Sequence, residues 1–292
     1  MICIYHSRDL DGWMSAAIVK RKYPDVELIG WDYGVPYPDW EKDIDGHKVV
    51  MVDVSFPKTI MLQYMDYNDL IWLDHHISAI NDMGDIEDEI KGMRDPELAA
   101  CELTWNYFFP EYQMPELVRL LGRYDCFGHK GTPEEETVLQ FQYAARAQIS
   151  NVDEAYKALA VMSNYDEDEY IEEWLKVGRG IYAYLCVEAK QIYARRFTLR
   201  FGEYFFAAVN QERFNPINFG INYHNDRAND NYYYDGFCCF ALTRGKWTFS
   251  LYNDNGHVDC SVICKSMGGG GHKGAAGFVV EDLNQFLSIH KA

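Results

Sequence analysis

Residues 1–12 read MICIYHSRDLDG, an apolar run that ends in a cluster of histidine and aspartate side chains. The run Met1–Tyr5 predicts a buried β-strand, and Trp13–Tyr23, which stops before Pro24, predicts the helix that follows it. A strand followed at once by a helix is typical of a parallel β-α-β unit. This stretch therefore indicates an α/β fold with functional groups at the carboxyl end of its first strand.

The next stretches repeat this pattern. Predicted strands cover Val26–Trp31, Lys48–Val52 and Leu70–Leu73, and a predicted helix covers Lys58–Tyr67. Because parallel strands need connections of helical length, we expect an open parallel sheet with helices on both faces. Ligands of such sheets bind beyond the carboxyl ends of the strands.

Carboxylate and imidazole side chains gather at these predicted strand ends and at one later position. The set is His6, Asp9, Asp11, Asp53, Asp74, His75, His76 and Asp125. Taken singly, an Asp-x-Asp-Gly stretch is usually a solvated turn, and a His-His pair more often packs or lies on the surface than serves as a metal ligand. Together they favour a site for hard or borderline cations, with Mn²⁺ preferred and Mg²⁺ as the alternative. Two such metals can clamp a phosphoryl group, so phosphoryl chemistry is the predicted activity.

The rest of the chain is first helical and then rich in strands. The predicted helices are Asp95–Phe109, Pro115–Tyr124, Pro133–Ala147, Asp153–Met162 and Asp166–Arg195. Then follow predicted strands Thr198–Phe201, Phe205–Val209, Phe237–Leu242 and Trp247–Leu251, a helix Val258–Met267, a strand Phe278–Val280 and a helix Leu283–Ile289. We predict a catalytic domain over residues 1–192, which includes a helical connector, and a smaller α/β domain with a mixed sheet over residues 193–292.

A glycine run lies in the second predicted domain. Gly268–Gly271 is followed by His272 and Lys273, and the whole stretch lies between a predicted helix and a predicted strand. A flexible linker is one interpretation. We favour a loop whose N–H groups, imidazole and ammonium bind a phosphate or nucleotide. In the first domain, Arg123 either faces a substrate phosphate or forms a structural salt bridge.

Composition limits the partners. The net charge of −18, from 45 acidic and 27 basic residues, makes tight binding of long nucleic acid unfavourable, since such proteins present a basic face. The eight cysteines include no Cys-x-x-Cys pair, so zinc fingers are not expected. No apolar run approaches the roughly 20 residues of a membrane span, and the first residues lack a signal-peptide pattern. We expect a cytoplasmic protein without a membrane partner.

These motifs together resemble the DHH phosphoesterase superfamily with its C-terminal DHH-associated domain. The matching pieces are His6-Ser7-Arg8-Asp9-Leu10-Asp11-Gly12, Val52-Asp53-Val54-Ser55, Asp74-His75-His76, Gly122-Arg123-Tyr124-Asp125 and Gly269–Gly277. The resemblance covers nearly the whole chain. Its most specific parts are the Asp-His-His triplet and the glycine signature.

The resemblance implies roles for these residues. One metal would be bound by His6, Asp9 and Asp53, and the other by Asp11, Asp53, His75 and Asp125, with Asp53 bridging. Asp74 would orient the neighbouring histidines or itself bind metal. His76 would contact the scissile phosphate. The glycine signature would bind the substrate's nucleotide or terminal phosphate, which implicates Gly270, Gly271 and His272, with Lys273 beside them.

The predicted reaction is two-metal hydrolysis of short oligonucleotides or small nucleotides, such as linear dinucleotides or 3′-phosphoadenosine 5′-phosphate. Three alternatives remain open: a RecJ-type single-strand exonuclease, an exopolyphosphatase or pyrophosphatase, and a nucleotide sensor without turnover. Relatives acting on short RNA carry an arginine shortly after a Ser-Leu step. Here Tyr252 follows Ser250-Leu251, so the substrate is left open. A homodimer is compatible with all of these activities.

Overall fold

The computed structural model describes residues 1–33, 35–38, 46–162, 166–212, 214–228 and 232–291. The chain divides into two compact units, Met1–Ile181 and Tyr182–Ala292. This division lies inside a helix of 27 residues, Glu167–Tyr193, which the sequence predicts as a connector. The domain boundary predicted between residues 192 and 193 lies near the end of the same helix.

The first unit is built on a five-stranded parallel sheet with the strand order β2-β1-β3-β4-β5. The strands are β1 Ile2–His6, β2 Glu27–Trp31, β3 Lys48–Val52, β4 Asp69–Asp74 and β5 Lys91–Arg94. The helices are α1 Leu10–Lys22, α2 Lys58–Tyr67, α3 Ile77–Met83, α4 Ala100–Phe108, α5 Glu116–Asp125, α6 Glu135–Gln148, α7 Val152–Met162 and α8 Glu167–Tyr193, with a 3₁₀ turn at Gly84–Glu89. The predicted parallel sheet is confirmed.

Helices cover both faces of this sheet, because successive strand residues point to opposite sides. On one face, Val50 and Leu73 pack in a buried cluster with α1 and α4 to α8. On the other face, Met51 and Trp72 pack with α2, α3 and the 3₁₀ turn. Strands buried on both faces read as continuous apolar runs, which is how β3 and β4 appear in the sequence.

The prediction of a helix that begins at Asp95-Pro96 is wrong. A fifth strand, β5, ends at Arg94, and Asp95 closes a turn by accepting a hydrogen bond from the Glu97 amide at 2.9 Å. The helix begins only at Ala100. Its first amides are bound by the carboxylate of Asp11, which is distant in sequence and therefore invisible to a local capping pattern.

The second unit contains a six-stranded sheet with the order β10-β11-β9-β8-β7-β6. Its elements are β6 Phe197–Phe201, β7 Tyr204–Asn210, β8 Gly236–Thr243, β9 Lys246–Tyr252, α9 Cys260–Ser266, β10 Gly270–Gly271, β11 Ala275–Val280 and α10 Leu283–His290, with 3₁₀ turns at Pro216–Phe219 and Tyr223–Asn225. Strands β7 and β8 are parallel and the other neighbours antiparallel, so the sheet is mixed, as predicted.

The long helix α8 contributes to both units. Its first half buries Ile171 and Trp174 in the core of the first unit. Its last turns bury Ala189 and Tyr193 against β7 and β8 of the second. Among the helices described, α8 included, none combines the length and apolar character that a membrane span requires.

Candidate metal centre

The site lies at the carboxyl ends of three parallel strands. Strand β1 ends at His6, β4 ends at Asp74, and Asp53 follows directly after β3. These strands are neighbours in the sheet, so their terminal side chains converge. Helices α1 and α5 contribute the remaining acidic groups.

The first donor group consists of His6, Asp9 and Asp53. The His6 Nδ1 atom lies 2.9 Å from Asp9 Oδ2 and 3.3 Å from Asp53 Oδ2. Asp9 is also the N-cap of α1 and accepts a hydrogen bond from the Gly12 amide at 3.1 Å. Any side chain at position 12 would collide with the backbone, since a Cβ atom there would lie 2.0 Å from the His6 carbonyl oxygen. The glycine therefore permits the tight turn that places Asp9 beside His6.

The second donor group consists of Asp11, His75 and Asp125. The His75 Nε2 atom lies 3.8 Å from Asp11 Oδ2 and 3.3 Å from Asp125 Oδ2. One ligand atom from each member can be chosen so that all lie within 4.8 Å of one another, and the same holds for the first group. This spacing suits coordination of a cation by each group.

Asp53 faces both groups. Its Oδ2 atom is turned to His6 at 3.3 Å, while its Oδ1 atom lies 3.5 Å from His75 Nε2. Its backbone has a positive φ of 58°, an uncommon conformation that aspartate tolerates better than most residues. The Asp53 amide donates to the Leu73 carbonyl at 3.0 Å, which anchors this conformation to β4. Such local strain at a convergence of polar groups is typical of functional sites.

Asp74 organises the two histidines that follow it. Its Oδ1 atom accepts hydrogen bonds from the amides of His75 at 2.8 Å and His76 at 3.2 Å, and lies 2.7 Å from His76 Nδ1. Its Oδ2 atom accepts from Trp72 Nε1 at 3.2 Å. The carboxylate is fully buried. Of the two roles open for Asp74, this geometry matches orientation of the histidines.

Asp11 has a structural task in addition to its place among the donors. Its two oxygens accept from the amides of Ala100 at 2.9 Å and Cys101 at 2.8 Å. Ala99, the N-cap residue of α4, has no side-chain acceptor, so Asp11 replaces it across the fold. Glu102 completes the arrangement by accepting from the Ala99 amide at 3.0 Å.

The pKa values of both donor histidines and of Asp11 are raised, so the cluster favours bound positive charge. Burial opposes protonation of His6, but hydrogen bonds with Asp53 and Asp9 outweigh it and raise its pKa to about 11. His75 behaves in the same way through Asp53 and Asp125, and its pKa is also raised to about 11. Burial, together with the neighbouring Asp53, raises the pKa of Asp11 to about 7. Histidine and carboxylate donors that hold protons this tightly fit divalent cations, which would replace those protons.

Three residues that sequence reasoning missed border the first donor group. Asp32 Oδ1 lies 3.7 Å from His6 Nε2, on the side of the ring opposite the donor group, and Asp32 Oδ2 lies 3.4 Å from Arg8 Nε. The ring of Tyr33 lies 6.1 Å from that of His6. A signal for Asp32 exists, because it follows a predicted strand as Asp53 does. Arg8 and Tyr33 carry no such signal.

Arg123, which precedes Asp125 by two residues, forms a salt bridge with Glu134. Its Nε atom lies 2.7 Å from Glu134 Oε1, and Arg119 Nη1 lies 2.9 Å from Glu134 Oε2. This network ties α5 to the start of α6. The geometry corresponds to the salt-bridge alternative, and a contact of Arg123 with substrate stays a prediction.

The glycine run forms the edge of the second sheet. Gly270 and Gly271 pair with Gly277 and Ala276 of β11, and both are exposed. Gly271 has a φ of +137°, and a Cβ atom there would lie 2.6 Å from Ala276 Cα. His272 closes the turn, its amide donating to the Ala275 carbonyl at 2.8 Å. The run is thus an ordered strand and turn, and phosphate binding by it and by Lys273 stays a prediction.

The chain is similar in sequence or in structure to several known proteins. The chain matches no family model. An uncharacterised protein of Acanthamoeba polyphaga mimivirus is 22% identical over 320 aligned positions, which span 99% of this chain and 70% of that protein. Among solved structures, a pGpG-specific phosphodiesterase of Vibrio cholerae superposes with a TM-score of 0.51 at 12% identity, covering 99% of this chain and 96% of that one.

A second solved structure also resembles this chain over nearly its whole length. It is a DHH domain described as a member of the s1p family of ribosomal proteins, with a TM-score of 0.50, 15% identity and coverage of 98% of this chain and 84% of that one. At such low identity these likenesses establish the fold. The chain has the fold of DHH-domain proteins, so the resemblance seen in the motifs is confirmed at that level.

Proposed function

We propose that this chain is a metal-dependent phosphoesterase of the DHH superfamily that hydrolyses short oligonucleotides or small nucleotides. The observation that carries the proposal is the position of Asp53, whose two carboxylate oxygens face two separate donor groups. A carboxylate shared in this way is what a two-metal site requires, and the mixture of carboxylates and imidazoles favours Mn²⁺ over Mg²⁺. Divalent cations, when bound there, supply charge stabilisation to a phosphoryl group and lower the pKa of water.

The chain's own residues then complete the chemistry. Burial opposes protonation of His76, but its hydrogen bond with Asp74 outweighs this and raises its pKa to about 9. Asp74 therefore favours the imidazolium form of His76. Because Asp74 holds Nδ1 at 2.7 Å, the ring has a set orientation for contact with a substrate phosphate. A donor fixed in this position would stabilise the negative charge that develops on the phosphate oxygens.

The substrate class is inferred from charge and from the fold. A net charge of −18 opposes non-specific binding of long nucleic acid, whose affinity depends on basic residues. The Vibrio cholerae protein that shares the fold acts, by its description, on pGpG, a linear dinucleotide. Within the second unit, the exposed edge strand Gly270–Gly271 with His272 and Lys273 is a further candidate for contacts to substrate phosphate.

Product analysis against a substrate panel tests the proposal. The Mn²⁺-loaded protein is incubated with linear dinucleotides, short RNA and DNA, 3′-phosphoadenosine 5′-phosphate, polyphosphate and long single-stranded DNA. We expect turnover only of the short nucleotides. Rapid release of mononucleotides from long DNA would favour an exonuclease, and phosphate release from polyphosphate alone would favour an exopolyphosphatase. Nucleotide binding without any product would indicate a sensor.

A further inference from the structure

Side chains of the first unit bind the backbone at two positions shortly after β2. Trp31 Nε1 donates to the Pro36 carbonyl at 3.2 Å, and Tyr64 Oη donates to the Pro38 carbonyl at 3.2 Å. Tyr64 is itself buried in the core. Two core side chains therefore bind the backbone at Pro36 and Pro38, close in sequence to Tyr33.

Aromatic packing reinforces this support. The buried Trp31 ring stacks on Tyr37, with centroids 5.6 Å apart and an interplanar angle of 18°. Phe56 packs edge-on against Trp31 at 4.9 Å and against Tyr37 at the same distance. Tyr33 packs edge-on against Trp31, with ring centroids 5.0 Å apart. Trp31, Tyr37 and Phe56 each pack against the other two, and Tyr33 joins them through Trp31.

Tyr33 is the member of the cluster that reaches the metal centre. Its ring lies 6.1 Å from the His6 ring, in an edge-to-face arrangement, yet 54% of the residue is exposed. A phenol carries no charge at neutral pH, since the usual pKa of tyrosine is about 10. Tyr33 therefore presents an exposed, uncharged aromatic ring beside the first donor group.

We propose that Tyr33 is a stacking platform for the nucleobase of the nucleotide whose phosphate lies at the metal centre. The inference rests on the proposed function and adds a base-binding position to it. The carboxylates around the centre repel a nucleotide's phosphate, and bound cations would offset that repulsion. The base carries no charge, so its affinity for the protein has to come from uncharged contacts. Stacking on an exposed tyrosine supplies such a contact for any base.

Mononucleotide binding to Mn²⁺-loaded protein, measured by calorimetry, tests the proposal with inorganic phosphate as the base-free probe. We expect Tyr33→Ala to weaken mononucleotide binding by about 5- to 150-fold, the equivalent of one base–aromatic stack at about 1–3 kcal/mol. Phosphate binding and Mn²⁺ affinity should stay as in the wild type. Tyr33→Phe, which keeps the ring, should bind mononucleotide within about threefold of the wild type, because the stacking surface is retained.

Tyr112→Ala is the matched control, because Tyr112 is 70% exposed and follows the C-terminal end of α4, whose N-terminal end faces the site. Tyr112→Ala should leave the affinities for mononucleotide and for inorganic phosphate unchanged. Equal mononucleotide affinity of the wild type and Tyr33→Ala overturns the stacking role, and so does an equal loss of mononucleotide and phosphate binding. Absence of dinucleotide hydrolysis by the wild type contradicts the proposed function instead, so the two failures are distinguishable.

Discussion

Replacing Asp11 by alanine should destabilise the protein even when no metal is present. The Asp11 carboxylate accepts two hydrogen bonds from the amides of Ala100 and Cys101, and all three residues are buried. A buried donor left without its partner costs about 1–3 kcal/mol, so the pair represents about 2–6 kcal/mol. Removal of Asp11 also relieves its repulsion by Asp53, which opposes the loss. We expect a net decrease of about 2–3 kcal/mol in the free energy of unfolding, or about 4–12 °C in Tm.

The assay is denaturant and thermal unfolding in EDTA, with Asp125→Ala as the control. Asp125 belongs to the same donor group and carries the same formal charge, but its side chain is one-third exposed. Burial and the nearby Asp11 raise the pKa of Asp125 to about 7, so its loss relieves repulsion, and we expect a change below about 1 kcal/mol. Added Mn²⁺ should stabilise the wild type far more than either variant. If both variants were equally unstable in EDTA, or if Asp11→Ala were as stable as the wild type, Asp11 would not hold the start of α4.

Three further predictions concern the same centre. His6 and His75 have folded-state pKa values raised to about 11 from 6.5, so the stability that their protons provide is present below pH 6.5 and is lost as pH rises towards 11. The Tm in EDTA should therefore fall between about pH 6 and about pH 8. The increase in Tm caused by Mn²⁺ should grow over the same range, because metal binding requires deprotonated ligands. An increase in Tm from Mn²⁺ that shrinks with rising pH would contradict this. Gly12→Ala should lower the free energy of unfolding by at least about 2 kcal/mol, because the added Cβ atom would lie 2.0 Å from the His6 carbonyl oxygen. The control is Gly180→Ala in α8, which should be neutral or stabilising because nothing lies within 4 Å of its added Cβ atom. Equal effects of the two substitutions would show that the turn at Gly12 is not constrained. Asp32→Asn removes a carboxylate charge 3.7 Å from the His6 Nε2 atom and should weaken Mn²⁺ binding by about 10- to 100-fold in a calorimetric titration. Unchanged affinity would show that Asp32 does not support His6.

Local sequence patterns identified the elements of the fold well. Strands β1, β3 and β4 appear as apolar runs, because both faces of the sheet are buried, and the donors appear directly after them. The start of α5 was equally readable, since Pro115 precedes the first helical residue and the helix ends at Asp125. In these cases the residues that determine a strand or a helix end lie within a few positions of it.

Features determined by distant residues could not be predicted in this way. Strand β5, with the sequence Lys-Gly-Met-Arg, is short and polar, and it is a strand because its backbone pairs with the edge of β4. The start of α4 depends on Asp11, about 90 residues earlier in the chain. The glycine run predicted as a phosphate-binding loop is in part a strand, β10, because it pairs with β11.

Local patterns list the residues of the site, and the family resemblance implies their division into two groups with Asp53 between them, but neither supplies the geometry. The aspartates and histidines were found from their positions after strands. Their division into two groups about Asp53 depends on a positive φ at that residue and on which oxygen faces which histidine. Asp32 has a sequence signal, because it follows a predicted strand, but its contact with His6 and that of Tyr33 cross from the end of β2 to β1 and appear only in the structure.

The most direct test of the central claim is hydrolysis of a linear dinucleotide by EDTA-treated protein with and without added Mn²⁺, in the wild type and in Asp53→Asn. Asparagine tolerates the positive φ at this position and keeps the size of the side chain, so the fold should be retained. We predict mononucleotide product from the wild type only when Mn²⁺ is present, and a loss of at least about 100-fold in Asp53→Asn, in the range seen when a key stabilising group is removed. Hydrolysis at the wild-type rate by Asp53→Asn, or by wild type in EDTA, would contradict a two-metal phosphoesterase centred on Asp53.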